Sequence, residues 1–327
     1  MTDGAPSDTR TETEYDVVVV GGGPAGCSAA VFTARYGLDT VVFDRGRSSI
    51  QRCAHLENYL GFPAGVDVET LYGLMHDHIR EAGGELVADL VESVSLAGEG
   101  FAVETEEGRR VTTRRVVAAT RYDSEYLRPL GDGAMFETDG ESGTQERFDR
   151  TYPASDGTTP FDGLYVTSPS EETDRQAIVA AGRGARVGLA VVRDVRRAEG
   201  VPDAVAPHYD WLRREATLDS EWDDRDRWRE WYDVKRPDGV DDDRWEAVRE
   251  RDIDRRRGTY LSNARIERRR ERGQRRLLDH VDDSLVGRRA REIESGDGVE
   301  NAGGGVETGT PTSGTSERAD GHTGASR

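Results

Sequence analysis

Residues 15–26 read Tyr-Asp-Val-Val-Val-Val-Gly-Gly-Gly-Pro-Ala-Gly, and this stretch decides the fold. The run Tyr15–Val20 is short and rich in valine, which is typical of a β-strand buried on both faces. Pro24 suits the first position of a helix, because a proline has no N–H to leave unsatisfied there. The helix continues to Gly37, a residue type that often follows a helix end, and a second strand, Thr40–Phe43, comes next. The stretch therefore predicts a βαβ unit.

The glycines of this unit have the spacing of a dinucleotide-binding loop. Gly21, Gly23 and Gly26 form the pattern Gly-x-Gly-x-x-Gly. The first glycine allows the tight turn, the second lets the backbone approach a pyrophosphate, and the third lets helix and strand pack closely. The helix N-terminus adds free N–H groups and a partial positive charge. Asp44 lies 23 residues after Gly21, close to where an acid binds a ribose hydroxyl. These features predict dinucleotide binding; a tightly packed βα turn that binds nothing is the alternative.

The composition is acidic and almost free of lysine. Among 327 residues, 64 acids face 45 bases, which gives a net charge of −19, and Lys235 is the single lysine. Such a chain would stay solvated in concentrated salt, so we expect a halophilic cytoplasm. The acidic balance argues against general binding to nucleic acid or to a membrane surface. Two cysteines fit a reducing compartment. No apolar run approaches the ~20 residues of a membrane helix, and the N-terminus does not have the pattern of a signal peptide.

The chain divides into four segments by composition. Residues 1–14 and 297–327 are polar and are predicted to be disordered. Residues 15–200 carry the alternating patterns of a doubly wound parallel α/β domain, with a small antiparallel meander before a last parallel strand at 116–120. Residues 201–296 form a charged helical appendage, which would cover the cofactor or build a homodimer.

The appendage is rich in tryptophan and arginine. All five tryptophans of the chain lie between 211 and 245, and we expect them to anchor the appendage to the first domain, since tryptophan offers a large apolar area. The arginines of 244–276 alternate with acids at helical spacings. This pattern is typical of a solvated, ion-paired helix. It favours such a helix over the alternative hypothesis, a nucleic-acid or protein interaction module.

Residues 1–195 resemble the flavin domain of thioredoxin-reductase-like flavoproteins. The matching stretches are Gly-Gly-Gly-Pro-Ala-Gly at 21–26, Glu-Asn-Tyr-Leu-Gly-Phe-Pro at 57–63, Gly-Glu-Leu at 84–86, Val-Ala-Ala-Thr at 117–120 and Arg-Gln-Ala-Ile at 175–178. The resemblance implies that the dinucleotide is FAD. The cofactor-binding residues that it implies are Gly21, Gly22, Gly23, Pro24, Ala25 and Gly26 for the pyrophosphate, Asp44 for the ribose, Gln51 and Asn58 along the flavin, Val87 for the adenine, and Thr120, Arg175, Gln176 and Ala177 near the flavin.

The chain also departs from that family. Only 40 residues separate Thr120 from Phe161, too few for the family's inserted nicotinamide domain, and the redox Cys-x-x-Cys is absent. In that family a Gly-Asp pair binds the flavin ribitol, and this chain has a different run at that place, which starts at Thr167. Glu171, Glu172 or Asp174 could replace the missing acid. The glycine expected after Thr120 is an arginine, Arg121.

The sequence therefore predicts an FAD-dependent oxidoreductase without its own NAD(P)H domain or redox dithiol. Electrons would come from a small-molecule or protein redox substrate, or from NAD(P)H as an external donor. The alternative is a non-catalytic regulatory protein that binds FAD or another adenine nucleotide.

The two cysteines and three of the histidines are further candidates for chemistry. Cys53 and His55 could form a thiolate–imidazole pair beside the flavin, which makes Cys53 a weak catalytic candidate, although an uninvolved loop cysteine is the simpler interpretation. Cys27 is predicted to be a small core residue. His76 and His78 lie on different faces of a helix, so we expect two surface residues and no metal site.

Overall fold

The structure, a computed structural model, describes residues 13–46, 48–121, 124–138, 146–167 and 175–296. These ranges exclude both segments that are predicted to be disordered, apart from Thr13 and Glu14. They also exclude the acids at 171, 172 and 174. The strands are β1 (Thr13–Tyr15), β2 (Val17–Val20), β3 (Thr40–Phe43), β4 (His55–Leu56), β5 (Val66–Asp67), β6 (Glu85–Val87), β7 (Val91–Ala97), β8 (Gly100–Thr105), β9 (Arg110–Thr113), β10 (Val116–Ala118), β11 (Phe136–Thr138), β12 (Glu146–Phe148), β13 (Leu164–Val166), β14 (Arg213–Arg214) and β15 (Tyr260–Leu261). The helices are α1 (Pro24–Tyr36), α2 (Val68–Ala82), α3 (Ala177–Ala198), α4 (Ser220–Asp223), α5 (Arg225–Asp233), α6 (Asp242–Arg257), α7 (Asn263–Leu278) and α8 (Asp283–Ser295).

A five-stranded parallel sheet forms the centre of the fold, with the strand order β13-β10-β2-β3-β6. The four valines of β2 are buried, as the continuous apolar run predicts. One face of the sheet packs against α1, α2 and α3. The other face packs against the antiparallel strands β7, β8 and β9. The predicted α/β class, the parallel sheet and the meander are confirmed, while the second face carries the meander where a doubly wound sheet would carry helices.

Helices α1 and α3 approach each other closely at a glycine. A Cβ on Gly184 would lie 1.9 Å from the carbonyl oxygen of Ala25, so only glycine lets the two backbones pack at this distance. Gly182, half a turn earlier on the same helix, faces open space instead. Since α1 begins at the glycine loop, this contact fixes the loop against α3.

Several element boundaries differ from the predictions. Thr13 and Glu14 belong to β1, which pairs with β9, so the ordered chain begins before residue 15. Gln176 is the N-cap of α3, and its side chain makes no capping hydrogen bond. Between the last predicted strand, at 116–120, and Phe161, the structure contains the antiparallel pair β11–β12.

The appendage has its own core, and the expectation that tryptophans anchor it to the first domain is wrong. Four of the five tryptophans belong to an aromatic run with three edge-on ring contacts and one tilted contact: Trp222, Trp228, Trp231, Tyr232 and Trp245. Trp211 is 67% exposed. Anchoring comes instead from arginine: Arg35 binds the carboxylate of Asp210 through two nitrogens, and Arg255 donates to the carbonyl of Tyr36. Aromatic rings gain more from packing on one another than from facing a charged helix surface.

The arginine-rich helices are ion-paired, as their spacing predicts. Glu250 accepts hydrogen bonds from three arginines, Arg225 at 2.8 Å, Arg229 at 2.9 Å and Arg249 at 3.1 Å. The hydrogen bond from Arg229, followed by those from Arg225 and Arg249, lowers the pKa of Glu250 to about 2, although partial burial acts in the opposite direction. Glu250 therefore joins α5 to α6 as an ionised carboxylate.

This network makes a prediction about acid stability. Because the folded pKa lies below the ordinary value of about 4.3, the contribution of Glu250 is complete above that value and is lost as the pH falls towards 2. We expect Glu250→Gln to lower the free energy of unfolding by roughly 1–3 kcal/mol at pH 7, and the difference from the unmodified protein to shrink at pH 3. Denaturant unfolding at both pH values measures this difference.

A matched control is available on α7. Glu271 is exposed and pairs with Arg275 one turn away, so Glu271→Gln is expected to change stability by less than about 0.5 kcal/mol at either pH. Equal effects of the two substitutions at pH 7 would contradict a special role for Glu250.

The described residues up to His280 belong to one compact unit, and α8 belongs to a second unit, Val281–Arg327. Within the described ranges, no helix combines the length and the apolar character that crossing a bilayer requires. The predicted division at residue 200 stays a prediction.

Candidate functional site

A cavity of about 500 Å³ opens at the carboxyl ends of the parallel strands. Val20, Phe43, Ala119 and Thr167 line it, each at or just beyond the end of β2, β3, β10 or β13. The strand order reverses direction between β2 and β10, which is the switch point where open α/β sheets bind ligands. None of the described residues after Ala180 lines the cavity, so the appendage does not form its wall.

The glycine loop forms the floor of this cavity. Gly21 has φ +109°, and a Cβ there would meet the carbonyl oxygen of Ala119 at 2.8 Å, so this turn requires glycine. A Cβ on Gly26 would lie 1.8 Å from the carbonyl oxygen of Gly21, which is the close helix–strand packing that the motif predicts. Gly23 is the N-cap of α1 and has no side chain to satisfy the first N–H groups of the helix. The loop thus presents backbone donors to the cavity.

Asp44 is buried at the cavity wall and is held by three partners. Its Oδ1 accepts from the N–H of Gly46 at 3.0 Å, its Oδ2 accepts from the hydroxyl of Tyr72 at 3.2 Å, and Nε2 of His76 lies 3.4 Å from Oδ2. Burial acts to raise the pKa of Asp44, but His76, Gly46 and Tyr72 outweigh it and hold the pKa below its ordinary value. Asp44 is therefore an ionised acceptor beside the glycine loop.

His76 is a site residue that the sequence reasoning missed. The prediction of a surface position is confirmed for His78 and is wrong for His76, which is half-buried with its Nε2 3.3 Å from the carbonyl oxygen of Gly22. Tyr72 and His76 lie one turn apart on α2, with ring centroids 4.6 Å apart. An aromatic and a histidine at that spacing, on a helix that follows the Asp44 loop, are the signal that could have indicated the pair.

The loop after Asp44 folds back onto the start of α3. Ile50, Val66 and Leu71 form a small core that Ala177 contacts. Asn58 donates a hydrogen bond of 3.1 Å from Nδ2 to Oε1 of Gln176. Two residues 118 positions apart, both predicted to lie along the cofactor, thus meet at the helix N-terminus.

The far wall of the cavity contains an acid and an arginine that the motifs did not indicate. Asp89 is buried, and its Oδ2 has no hydrogen-bond partner among the described residues, although Nε of Arg109 lies 3.4 Å away. Arg121, at the position where the family has glycine, adopts φ +69° and lines the cavity. A left-handed conformation is costly for a residue with a Cβ, by roughly 1–2 kcal/mol.

The two cysteines have different environments. Cys27 is buried, its thiol donates to the carbonyl oxygen of Gly22 at 3.0 Å, and burial followed by the charge of Asp44 raises its pKa. The prediction of a core residue is confirmed. Cys53 is exposed and is not part of the cavity wall, while Nε2 of His55 lies 3.0 Å from the carbonyl oxygen of Ala64. A catalytic role for Cys53 stays a prediction.

The cavity brings together part of the predicted cofactor set. Its wall includes eight of those residues: Gly21, Gly22, Gly23, Pro24, Ala25, Asp44, Thr120 and Arg175. The remaining six are not part of the wall: Gly26, Gln51, Asn58, Val87, Gln176 and Ala177. The carbonyl of Val87 accepts from the N–H of Asp44, which lines the cavity. In the described residues, no group of three or more His, Cys, Asp or Glu is arranged to hold a metal ion.

Comparison with known proteins agrees with this geometry. Residues 15–134 match the family model described as pyridine nucleotide-disulphide oxidoreductase. The chain is similar to thioredoxin reductases. It is 37% identical over 124 residues to the bifunctional thioredoxin reductase/thioredoxin of Mycobacterium leprae, covering 37% of this chain and 27% of that protein. It is 27% identical over 198 residues to the thioredoxin reductase of Bacillus subtilis, covering 59% of this chain and 58% of that protein.

The match is partial in length. The chain spans about a quarter to a third of the first curated relatives it matches, with 27%, 25% and 33% covered. A solved thioredoxin reductase from Gloeobacter violaceus is 19% identical with a TM-score of 0.47, and the match covers 61% of this chain and 98% of that chain. The family model's match, residues 15–134, includes the glycine loop and Asp44.

Proposed function

We propose that this chain is an FAD-dependent oxidoreductase that holds the cofactor in the cavity at the strand ends. The observation that carries the proposal is the joint position of the glycine loop, the N-terminus of α1 and ionised Asp44 around one cavity of about 500 Å³. That volume falls within the roughly 300–1,000 Å³ range of small-molecule and cofactor sites. The partial match to oxidoreductases supports the proposal.

The residues present fit the cofactor. The backbone of Gly21–Gly23 would hold the pyrophosphate at the positive end of α1. Asp44 would accept from the ribose hydroxyls, and Oδ2 of Asp89, which accepts no hydrogen bond from the described residues, would accept from the adenine amino group. A carboxylate oxygen left without a hydrogen bond in a buried wall is costly, so a donor from a ligand would relieve that cost. When bound, FAD supplies two-electron redox chemistry.

The chain's own residues would then orient the cofactor and restrict water. The contact between Asn58 and Gln176 fixes the loop over the N-terminus of α3, which would place helix N–H groups near the flavin. Leu60, two residues after Asn58, is 88% exposed beside this contact and would face a substrate or partner. We propose that the electron donor is external, either a redox substrate or NAD(P)H, since the described residues between Thr120 and Phe161 form only short elements.

An absorption spectrum of the purified protein tests the proposal, with the cofactor released by heat and identified. Anaerobic reduction of the bound flavin by NADPH, NADH or a dithiol then separates the enzyme from a non-catalytic FAD-binding protein. That second function is favoured by Arg121 at the family's glycine position and by the absence of a Cys-x-x-Cys from the sequence. A colourless protein that refuses added FAD in molar KCl would refute both.

Asp44 provides a prediction within the site. We expect Asp44→Asn to weaken FAD binding about tenfold to a hundredfold, because a charge-assisted hydrogen bond contributes roughly 1.5–3 kcal/mol. Asparagine keeps an acceptor for the N–H of Gly46, so the loop should stay folded. Flavin fluorescence titration in molar KCl measures the affinity.

The control is Glu69→Gln on the exposed first turn of α2. It removes one negative charge away from the cavity wall and should leave the affinity unchanged. Equal affinities for the Asp44→Asn and unmodified proteins would show that Asp44 does not bind the ribose.

A further inference from the structure

A second cavity, of about 140 Å³, lies where the appendage meets the ends of α1 and α3. The arginine, histidine and acidic side chains in its wall are Arg196, Arg213, Arg255, Arg256, His208 and Asp252. Arg196 and Gln176 are 20 residues apart along α3, which corresponds to roughly 30 Å of helix. The cavity is therefore remote from the proposed FAD site, and nothing in the proposed reaction uses it.

Positive charge dominates this cavity. Four guanidinium groups face one carboxylate, that of Asp252. Arg196 takes both oxygens of this carboxylate, at 2.5 and 3.0 Å, and Arg256 adds a contact of 3.2 Å. Burial, followed by the charge of Arg196, lowers the pKa of His208 to about 4, so His208 is neutral at pH 7. The wall keeps an excess of three positive charges in a chain whose net charge is −19.

Two of these arginines have no carboxylate partner among the described residues. Arg213 is half-buried and donates to Oγ1 of Thr259 at 3.4 Å. Arg255 is half-buried, lies 3.7 Å above the ring of Tyr36 and donates to its backbone carbonyl. The nearby carboxylate of Asp210 is taken by Arg35. Each of the two groups therefore retains N–H donors for which the described residues provide no acceptor.

This arrangement contrasts with the rest of the appendage, where arginines at helix contacts are paired with acids. Arg225, Arg229 and Arg249 share Glu250, and Arg257 pairs with Asp223. Half-buried guanidinium groups without a counter-charge cost free energy unless an anion accompanies them. A phosphoryl group is the anion of best fit, because a dianion offsets more of the excess charge than a monocarboxylate and because guanidinium forks match its oxygens.

We propose that this cavity is a binding site for the phosphoryl group of a small phosphorylated molecule. Arg213 and Arg255 bind the phosphoryl oxygens, while Arg196 and Arg256 stay with Asp252 and supply long-range charge. The cavity accommodates the phosphoryl group and a few attached atoms, and Tyr209, which is 67% exposed, flanks the opening for the remainder of the molecule. The site is independent of the proposed oxidoreductase function.

Inorganic phosphate is the probe, and the full-length protein is titrated by calorimetry at constant KCl. We expect saturable binding with a Kd of about 1 mM or tighter, and a loss of about tenfold or more in Arg213→Gln and in Arg255→Gln. Arg227→Gln is the matched control, since Arg227 pairs with Glu221 outside the cavity. Acetate at the same ionic strength should not bind.

The glycine loop is another place where phosphate could bind, so the titration is repeated with saturating FAD. The proposal would be overturned if saturating FAD abolishes phosphate binding while the two arginine variants still bind phosphate. It would also be overturned if phosphate shows no saturable binding. If a variant loses stability, a second measurement decides. Each Tm in phosphate is compared with the Tm of the same protein in acetate. Phosphate should raise the Tm of the unmodified protein and of Arg227→Gln, and it should leave the Tm of Arg213→Gln unchanged.

Discussion

Replacing Gly23 with alanine is expected to lower the affinity for FAD about a hundredfold, or ~2.7 kcal/mol, while the fold stays intact. A methyl group on Gly23 would stand 2.9 Å from Oγ of Ser48, inside the cavity that the glycine loop forms. The backbone at this second glycine of the motif is the part that must approach the pyrophosphate, so the methyl group would separate N–H donors from phosphate oxygens. Flavin fluorescence titration in molar KCl gives the affinity.

The backbone itself accepts the substitution. Gly23 has φ −78° and ψ −176°, a conformation open to any residue, and its nearest obstacle is the end of one side chain. Alanine is a poorer N-cap than glycine, which should cost less than about 1 kcal/mol. The thermal unfolding curve should therefore move by only a few degrees.

Two companion variants keep this prediction open to refutation. Gly182→Ala introduces the same methyl group on α3 where nothing lies within 4 Å, and it should leave FAD affinity unchanged while adding about 0.5–1 kcal/mol of stability. Gly23→Ala combined with Ser48→Ala removes the crowding by the serine. Recovery of full affinity in the double variant would mean that Ser48, and not access to the phosphates, limits binding.

The sequence predicted the part of the site that local signals encode. The turn at Gly21, the helix start at Pro24 and the acid after β3 are each written in a few adjacent residues. The strand Val17–Val20 can be recognised without knowing which strands pair with it, because a strand buried on both faces requires a continuous apolar run. The meander was equally predictable, since one buried and one exposed face produce alternation along each strand.

The parts that the sequence did not predict depend on contacts between distant positions. His76 reaches Asp44 across 32 positions, and the packing of α2 beside the end of β3 brings them together. The pair β11–β12 is short and polar on its outer side, so its residues resemble a loop. The prediction placed the tryptophans against the first domain, whereas they pack in the core of the appendage. Their number indicates that they form a core, but it does not indicate which one.

The sequence predicted ion pairing in the appendage, but not which arginine pairs with which acid on another helix. The chain has 45 basic and 64 acidic side chains, and periodicity identifies i, i+4 neighbours but not partners on other helices. Arg196 and Asp252 are 56 positions apart, yet they form a buried pair with relative exposures of 2% and 3%. Nothing in the spacing marks them among the many exposed pairs.

Asp252→Ala is expected to lower the free energy of unfolding by about 3–5 kcal/mol. The carboxylate of Asp252 accepts from Arg196, from Arg256 and from the hydroxyl of Tyr232. Its loss would leave the Arg196 guanidinium buried with only the backbone carbonyls of Val205 and Ala206 as acceptors. Denaturant unfolding followed by tryptophan fluorescence reports this region directly, because Trp228 and Trp245 lie in or beside the same core.

The comparison that isolates burial is Glu221→Ala. Glu221 and its partner Arg227 form an ion pair of the same chemistry, but their side chains are 54% and 39% exposed, so the expected loss is below about 1 kcal/mol. Replacing both buried partners, as Arg196→Met with Asp252→Leu, should recover much of the stability that Asp252→Ala loses, because no fully buried charge is then left without a counter-ion and Arg256, which also loses Asp252, is 30% exposed. A loss under about 1 kcal/mol for Asp252→Ala would contradict the buried pair, since surface pairs have costs of that size.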